Sequence, residues 1–462
     1  MPSDDKINNP VENRKLVRGL GLREATTINM IDMVGIGPFV IIPFVIGFMG
    51  GPQCILAWVL GAVLAYMDGS VWAELGAAYP AAGGSYVFLQ KVYGEKKWGS
   101  LFSFLFIWQT SIQAPLVIAS GAIGLSRYLN YLVPVNELQQ KMVAGGLVIL
   151  LAILLYRKIS QVGKISLVMG LIVAGTMIWV IIAGFTHFHL SNLKIPEGAF
   201  NPPGGFFKGL ASASAKTIYA FLGYYNVCHL GAEIKQPQKN IPRSIFLSIT
   251  GITIIYLLMQ VSVLGAMPWQ ESEKSTFLIS TLFERVYGII AANLVTGLIL
   301  LVGLASLFSA TLGYSRIPYA AAVQGNFFKL FARIHPVRQF PHISLLFLCG
   351  IAFAFSLFSN LSAIITIIVI MRIPVQFIGQ AVGLIALRRR SKESPRPYKM
   401  LFFPVPALLS IVIWLYIFCS VEWSAILSAI GVILTGLVLF LIRARSNEQF
   451  PFETNIQSSE NQ

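Results

Sequence analysis

Two short stretches carry the residue types that would bind a small charged molecule. In "DMVGIGPFVIIP", Asp32 to Pro43, Gly35 and Gly37 flank Ile36 and are followed by Pro38; in "TIYAFLGYYNVCHLGAEIKQP", Thr217 to Pro237, Gly223 interrupts an apolar run. Glycine is unrestricted by a side chain and proline lacks the N–H that an interior turn needs, so both are poor helix material. Unwound backbone presents free N–H groups and positive helix ends to a carboxylate, and free carbonyls to an ammonium. A zwitterion satisfies both. Asp32 lies one helical turn before Gly35, and Asp68, Glu74, Lys164, Lys216 and Arg372 also fall in or at the ends of apolar runs. Ionisable groups at such depth are costly and mark a pathway, a proton relay or a structural pair.

The elements that hold these residues are membrane spans. The chain of 462 residues is 56% hydrophobic and 11% charged, with a mean hydropathy of +0.72, the composition of a polytopic membrane protein. Spans of about 20 apolar residues are expected near 24–48, 54–78, 98–125, 141–157, 161–186, 209–232, 242–267, 288–320, 342–358, 361–387, 402–420 and 424–442. The first 22 residues lack the apolar core of a signal peptide and are expected to stay as a cytosolic tail. With that orientation 25 of the 34 Lys and Arg lie inside and six outside, a strong positive-inside bias that places both termini in the cytosol of a cell-membrane protein. The net charge of +15 therefore reads as topology rather than nucleic-acid binding, and the loop "LRRRSKESPRPYKM" as its anchor rather than a lipid site.

The two glycine breaks fall in spans one and six. Short interrupted spans at corresponding positions of two halves point to an inverted repeat and a binding site at mid-membrane; close helix packing through glycine is the alternative for either break alone. The expected division is a cytosolic tail at 1–22, halves at 23–190 and 191–390, two further spans within 391–445 and a cytosolic tail at 446–462. Unwound backbone is tolerated at that depth only where it is covered by protein or lines a cavity.

Other candidates are weaker. Cys54, Cys228, Cys349 and Cys419 sit in apolar runs without ligand spacing, so no disulfide framework, metal or cofactor is expected. His229 reads as a packed histidine, and Glu74 as a structural residue at the inner end of its helix. Trp108 and Gln113 on span three are candidate pocket residues, with Gln109 on the same helical face as Gln113. Tyr224, Tyr225, Asn226 and Cys228 follow the second break, where no acidic side chain awaits a cation, which favours a neutral zwitterion over a cationic one.

In order along the chain, "VGIGPF", "WAELGAAYPAAGGSYVFLQKVYG", "QVGKISLV", "AFLGYYN…GAEIKQPQKNIPRSI" and "LGYSRIPYAAAVQGNFF" resemble the motifs of the amino acid–polyamine–organocation transporter superfamily over nearly the whole chain. The resemblance implies an all-α polytopic fold of 12 transmembrane helices, a leucine-transporter-like repeat of five plus five with helices one and six broken, and two C-terminal helices, working by alternating access. It implies that amides of Gly35, Ile36 and Gly37 hold a substrate carboxylate and that carbonyls near Met33, Tyr219 and Leu222 hold its amino group. Phe221 resembles the residue that closes over the substrate from outside. Lys164 resembles a lysine whose ammonium replaces a bound sodium, bridging span five to span one and to span eight near Ser309. Relatives often carry Gly-Ser-Gly where this chain has Gly-Ile-Gly, and Pro38 removes one N–H.

The expected function is therefore a sodium-independent permease for amino acids, neutral ones favoured, working by exchange or with a proton. The alternatives are a cationic amino acid or polyamine antiporter and a non-transporting amino acid sensor. Asp32 and Asp68 are candidates for proton coupling or for pairing with Lys164 or Arg372. A channel would need rings of acceptors from several subunits, and an enzyme a cluster such as HExxH, which is missing. The outer loop "SRYLNYLVPVNELQQ" holds no cysteine, so no covalent heavy-chain partner is expected, and the state is a monomer or weak homo-oligomer.

Overall fold

The computed structural model describes residues 16–201, 205–358, 368–390, 396–420, 423–446 and 450–452. Most of both expected tails, the first part of span ten and the middle of the basic loop after it lie outside the described residues. In hydrocarbon the backbone must close its own hydrogen bonds, and the apolar runs accordingly fold as helices. Among the described residues no strand forms; two isolated bridges, Leu20 with Ile234 and Ala82 with Leu230, tie the break regions to their neighbours.

Span one is split into α1 (Leu22–Met33) and α2 (Gly37–Met49), bent by 46° at the break. Then come α3 (Ile55–Ala78), α4 (Ser85–Tyr93), α5 (Trp98–Tyr128), α6 (Glu137–Leu155) and α7 (Ile159–Thr186). Span six is α8 (Phe206–Phe221) and the single turn α9 (Asn226–His229). It is followed by α10 (Pro237–Ala266), α11 (Trp269–Ser272), α12 (Leu278–Tyr287), α13 (Ile289–Tyr314), α14 (Arg316–Val323) and α15 (His342–Phe358). The last three are α16 (Ile368–Arg390), α17 (Val405–Ser420) and α18 (Trp423–Ser446). Among the described residues, eight helices and the bent pair α1 and α2 are long and apolar enough to cross a bilayer, and α15 and α17 are shorter apolar helices. Together with α8 and α9 they stand at the positions of the expected spans. Large apolar side chains such as Leu171 and Ile290, each 75% exposed, face outward, as a lipid-facing surface requires.

Helix neighbours repeat across the two halves. Helix α3 packs on α10, α5 on α13 and α6 on α15. The pair α5 and α15 is matched by α13 and α6, the pair α1 and α10 by α8 and α3, and the pair α7 and α10 by α16 and α3. Exchanging spans one to five with spans six to ten thus maps these contacts onto one another, placing the two breaks side by side at the centre. Next to Ile234 and Leu20, Arg316 is only 3% exposed and grips the fully buried Glu233 through Nε and Nη2 at 2.8 and 2.9 Å. Arg388 likewise holds buried Glu74, which also accepts from the Met400 N–H at 2.8 Å. Glu74 is thus a structural tie between spans two and ten.

Candidate functional site

The helix of span one ends where the Val34 N–H donates to the Met30 carbonyl and Gly35 to Met33. Ile36 and Gly37, opening α2, donate to no backbone carbonyl, because the first N–H groups of a helix have no intrahelical acceptor. Pro38 lies in the first turn of α2, where its missing N–H would have been unpaired anyway. In span six, Leu222 is extended and Gly223 has φ +127°. This left-handed geometry favours glycine. A Cβ at Gly223 would stand 2.9 Å from both the Asp32 Cβ and the Met33 nitrogen, so the absent side chain is what lets the two breaks touch.

Polar side chains lock the breaks in place. The Tyr256 hydroxyl of α10 lies 2.8 Å from the Met33 carbonyl and 3.1 Å from that of Ala220. Asn29 donates to the Tyr224 carbonyl at 2.7 Å and accepts from the Val227 N–H at 2.9 Å. From α13, Ser306 donates to the Asp32 carbonyl at 3.0 Å, and Ser309 to that of Ile28 at 2.7 Å. Asn226 donates to the Ser309 carbonyl at 2.8 Å. These bonds hold the Met33 and Tyr224 carbonyls and the helix ends beside each break, and leave the Ile36 and Gly37 N–H groups free.

Between the breaks lies a small cavity of about 80 Å³. Its wall includes Asp32, Met33, Gly35, Ile36 and Gly37 from span one, and Tyr219, Leu222, Gly223 and Tyr225 from span six. Ser306 and Tyr314 join from α13, and Arg372 from α16. Arg372 is 2% exposed, stands at the start of the π-helical turn Ile373–Ile378, and donates to the hydroxyls of Tyr225, at 2.5 Å, and Tyr314.

The remaining expected residues go elsewhere. Lys164 is exposed on α7, and Ser309 takes its bonds from α1 and Asn226, so the expected ammonium bridge near Ser309 is absent; the α13 serine at the cavity is Ser306. Asp68 accepts from the Tyr224 hydroxyl at 2.5 Å, from Trp72 Nε1 at 2.8 Å and from Trp414 Nε1 at 3.4 Å. It pairs with neither Lys164 nor Arg372, and it draws Tyr224 away from the cavity. Phe221 packs edge-on against Trp58 and Tyr256, with ring centroids 6.3 and 5.3 Å away, and is not part of the cavity wall. Trp108 turns to α18, donating to the Val432 carbonyl at 3.1 Å. Gln113 and Asn226 are buried behind the wall rather than in it. Sequence reasoning overlooked Asn29, Tyr256, Ser306 and Tyr314; the one available signal was a lone polar residue in an apolar run.

An apolar bundle whose two broken helices meet around a cavity lined by Asp32 and Arg372 has the architecture of a membrane transporter. The amino acid permease family model matches residues 20–452, and the chain belongs to that family: it is a multi-pass amino acid transporter, not an enzyme. It is 26% identical to the aspartate-proton symporter of Bacillus subtilis (strain 168) over 85% of this chain and 76% of that protein. It is equally identical to the serine/threonine exchanger of the same bacterium over 87% of this chain and 90% of that protein. Identity to the mouse cationic amino acid transporter 4 is 26% over 85% of this chain, which spans 63% of that longer relative.

Proposed function

We propose that the chain is a secondary carrier that moves amino acids across the cytoplasmic membrane by alternating access, independently of sodium, by exchange or with a proton. The observation that carries this reading is the apposition of the breaks: unpaired N–H groups of Ile36 and Gly37 face a cavity that the Leu222 region also lines. The amides take the substrate carboxylate; the carbonyls and Asp32 take its ammonium. Relatives named as a proton symporter and as an exchanger support either coupling. Because Lys164 is exposed, coupling is assigned to Asp32 at the cavity.

The halves are 23–190 and 191–390, as the repeated helix contacts support. Both termini are cytosolic, and the carrier is a monomer or weak homo-oligomer without a covalent partner. Labelled amino acids offered to proteoliposomes, with and without internal amino acid, a pH gradient and sodium, test the reading. Saturable uptake that survives sodium removal is expected; strict sodium dependence would overturn the coupling.

A further inference from the structure

Arg372 is a buried cation with no carboxylate in contact with it among the described residues. Among the described residues, its terminal nitrogens reach only the neutral hydroxyls of Tyr225 and Tyr314, its Nε has no hydrogen-bond partner, and no carboxylate lies within 4.0 Å of it. The rings of the same tyrosines have their centroids 5.7 and 5.4 Å from the guanidinium carbon and attract it weakly through their quadrupoles. A guanidinium held this way stays costly until a bound anion meets it. Asp32, the other charged group of the cavity wall, lies at the end of α1 beside the span-one break; its charge acts on Arg372 through the cavity, with no ion pair within 4.0 Å among the described residues.

Resting on the carrier reading, we infer that Arg372 selects a compact amino acid with a side-chain carboxylate. The α-carboxylate takes the free amides of Ile36 and Gly37, the ammonium takes Asp32, and the side-chain carboxylate takes the fork of Arg372, whose planar donors suit a bidentate grip. The ammonium and the side-chain carboxylate then each meet an opposite charge, and the α-carboxylate meets hydrogen-bond donors. A neutral amino acid brings no second carboxylate into contact with the guanidinium, and arginine or a polyamine sets a second cation against it. This departs from the neutral preference read from the sequence, which had no means of bringing Arg372 and Asp32 to one cavity.

The test uses the full chain in proteoliposomes, with aspartate, glutamate, serine, leucine and arginine as competing probes. Aspartate or glutamate competing at least tenfold more strongly than serine, and arginine not competing, is the expected result. In R372Q the ratio of acidic to neutral uptake falls at least tenfold. Binding to wild-type protein in detergent, read as a thermal shift, gives the same ranking without any variant. Uptake of serine or leucine with aspartate and glutamate inert overturns the assignment of Arg372 and leaves the carrier reading standing. Absence of uptake and of binding for all five overturns both.

Discussion

Gly223 lies against Asp32 so closely that a Cβ on the glycine would come within 2.9 Å of the aspartate Cβ. The contact joins the two broken spans at the point where the chain also turns through φ +127°. Gly223→Ala adds both a backbone conformation that side chains avoid and a clash with backbone that has no free end to swing away. A loss of about 1–3 kcal/mol is expected, read as a lower unfolding midpoint of the purified protein, together with loss of uptake. An unchanged midpoint would mean the breaks part easily.

Tyr256 reaches the Met33 and Ala220 carbonyls from outside the pair. Tyr256→Phe keeps the ring packed on Trp58 and Phe221 and removes only the hydroxyl. Loosening the carbonyls by about 1–2 kcal/mol weakens substrate binding roughly tenfold, to be measured by competition binding. Affinity within twofold of wild type would assign Tyr256 to packing alone.

Glu233 and Arg316 form a buried two-bond pair. Removing one partner strands the other charge, so Glu233→Ala is expected to cost about 3–5 kcal/mol, whereas replacing both residues with leucine recovers much of that. Unfolding of the two variants in detergent checks it. Equal destabilisation by both would show that the pair's geometry, not its unmatched charge, matters.

Lys164→Gln leaves uptake within about twofold of wild type, since a surface substitution changes free energy by only about 0.5 kcal/mol. Abolished uptake with intact folding would restore the ammonium bridge that the resemblance implied.

What was legible in the sequence follows from the range of the signals. Hydropathy, glycine and proline act locally, and they placed the spans and both breaks. The rotation of a helix about its axis is read from an apolar stripe, and α7 has none: it is apolar nearly all round, so nothing in the sequence told that Val162, Gly163 and Ser166 face inward while Lys164 faces out. Trp108 was misplaced for the same reason, its indole N–H finding a carbonyl on α18. Arg372 was conspicuous as a charge, but its partners Tyr225 and Tyr314 are 147 and 58 residues away. Only the assembled bundle brings them together.

The claim that substrate sits between the two breaks is tested most directly at Gly37, where an added Cβ would lie 3.6 Å from the Tyr219 ring. A leucine there tolerates the fold but fills the cavity. Uptake by Gly37→Leu proteoliposomes, measured beside wild type with the unfolding midpoint of each protein, is predicted to vanish at a nearly unchanged midpoint. Wild-type uptake by the variant would contradict the account.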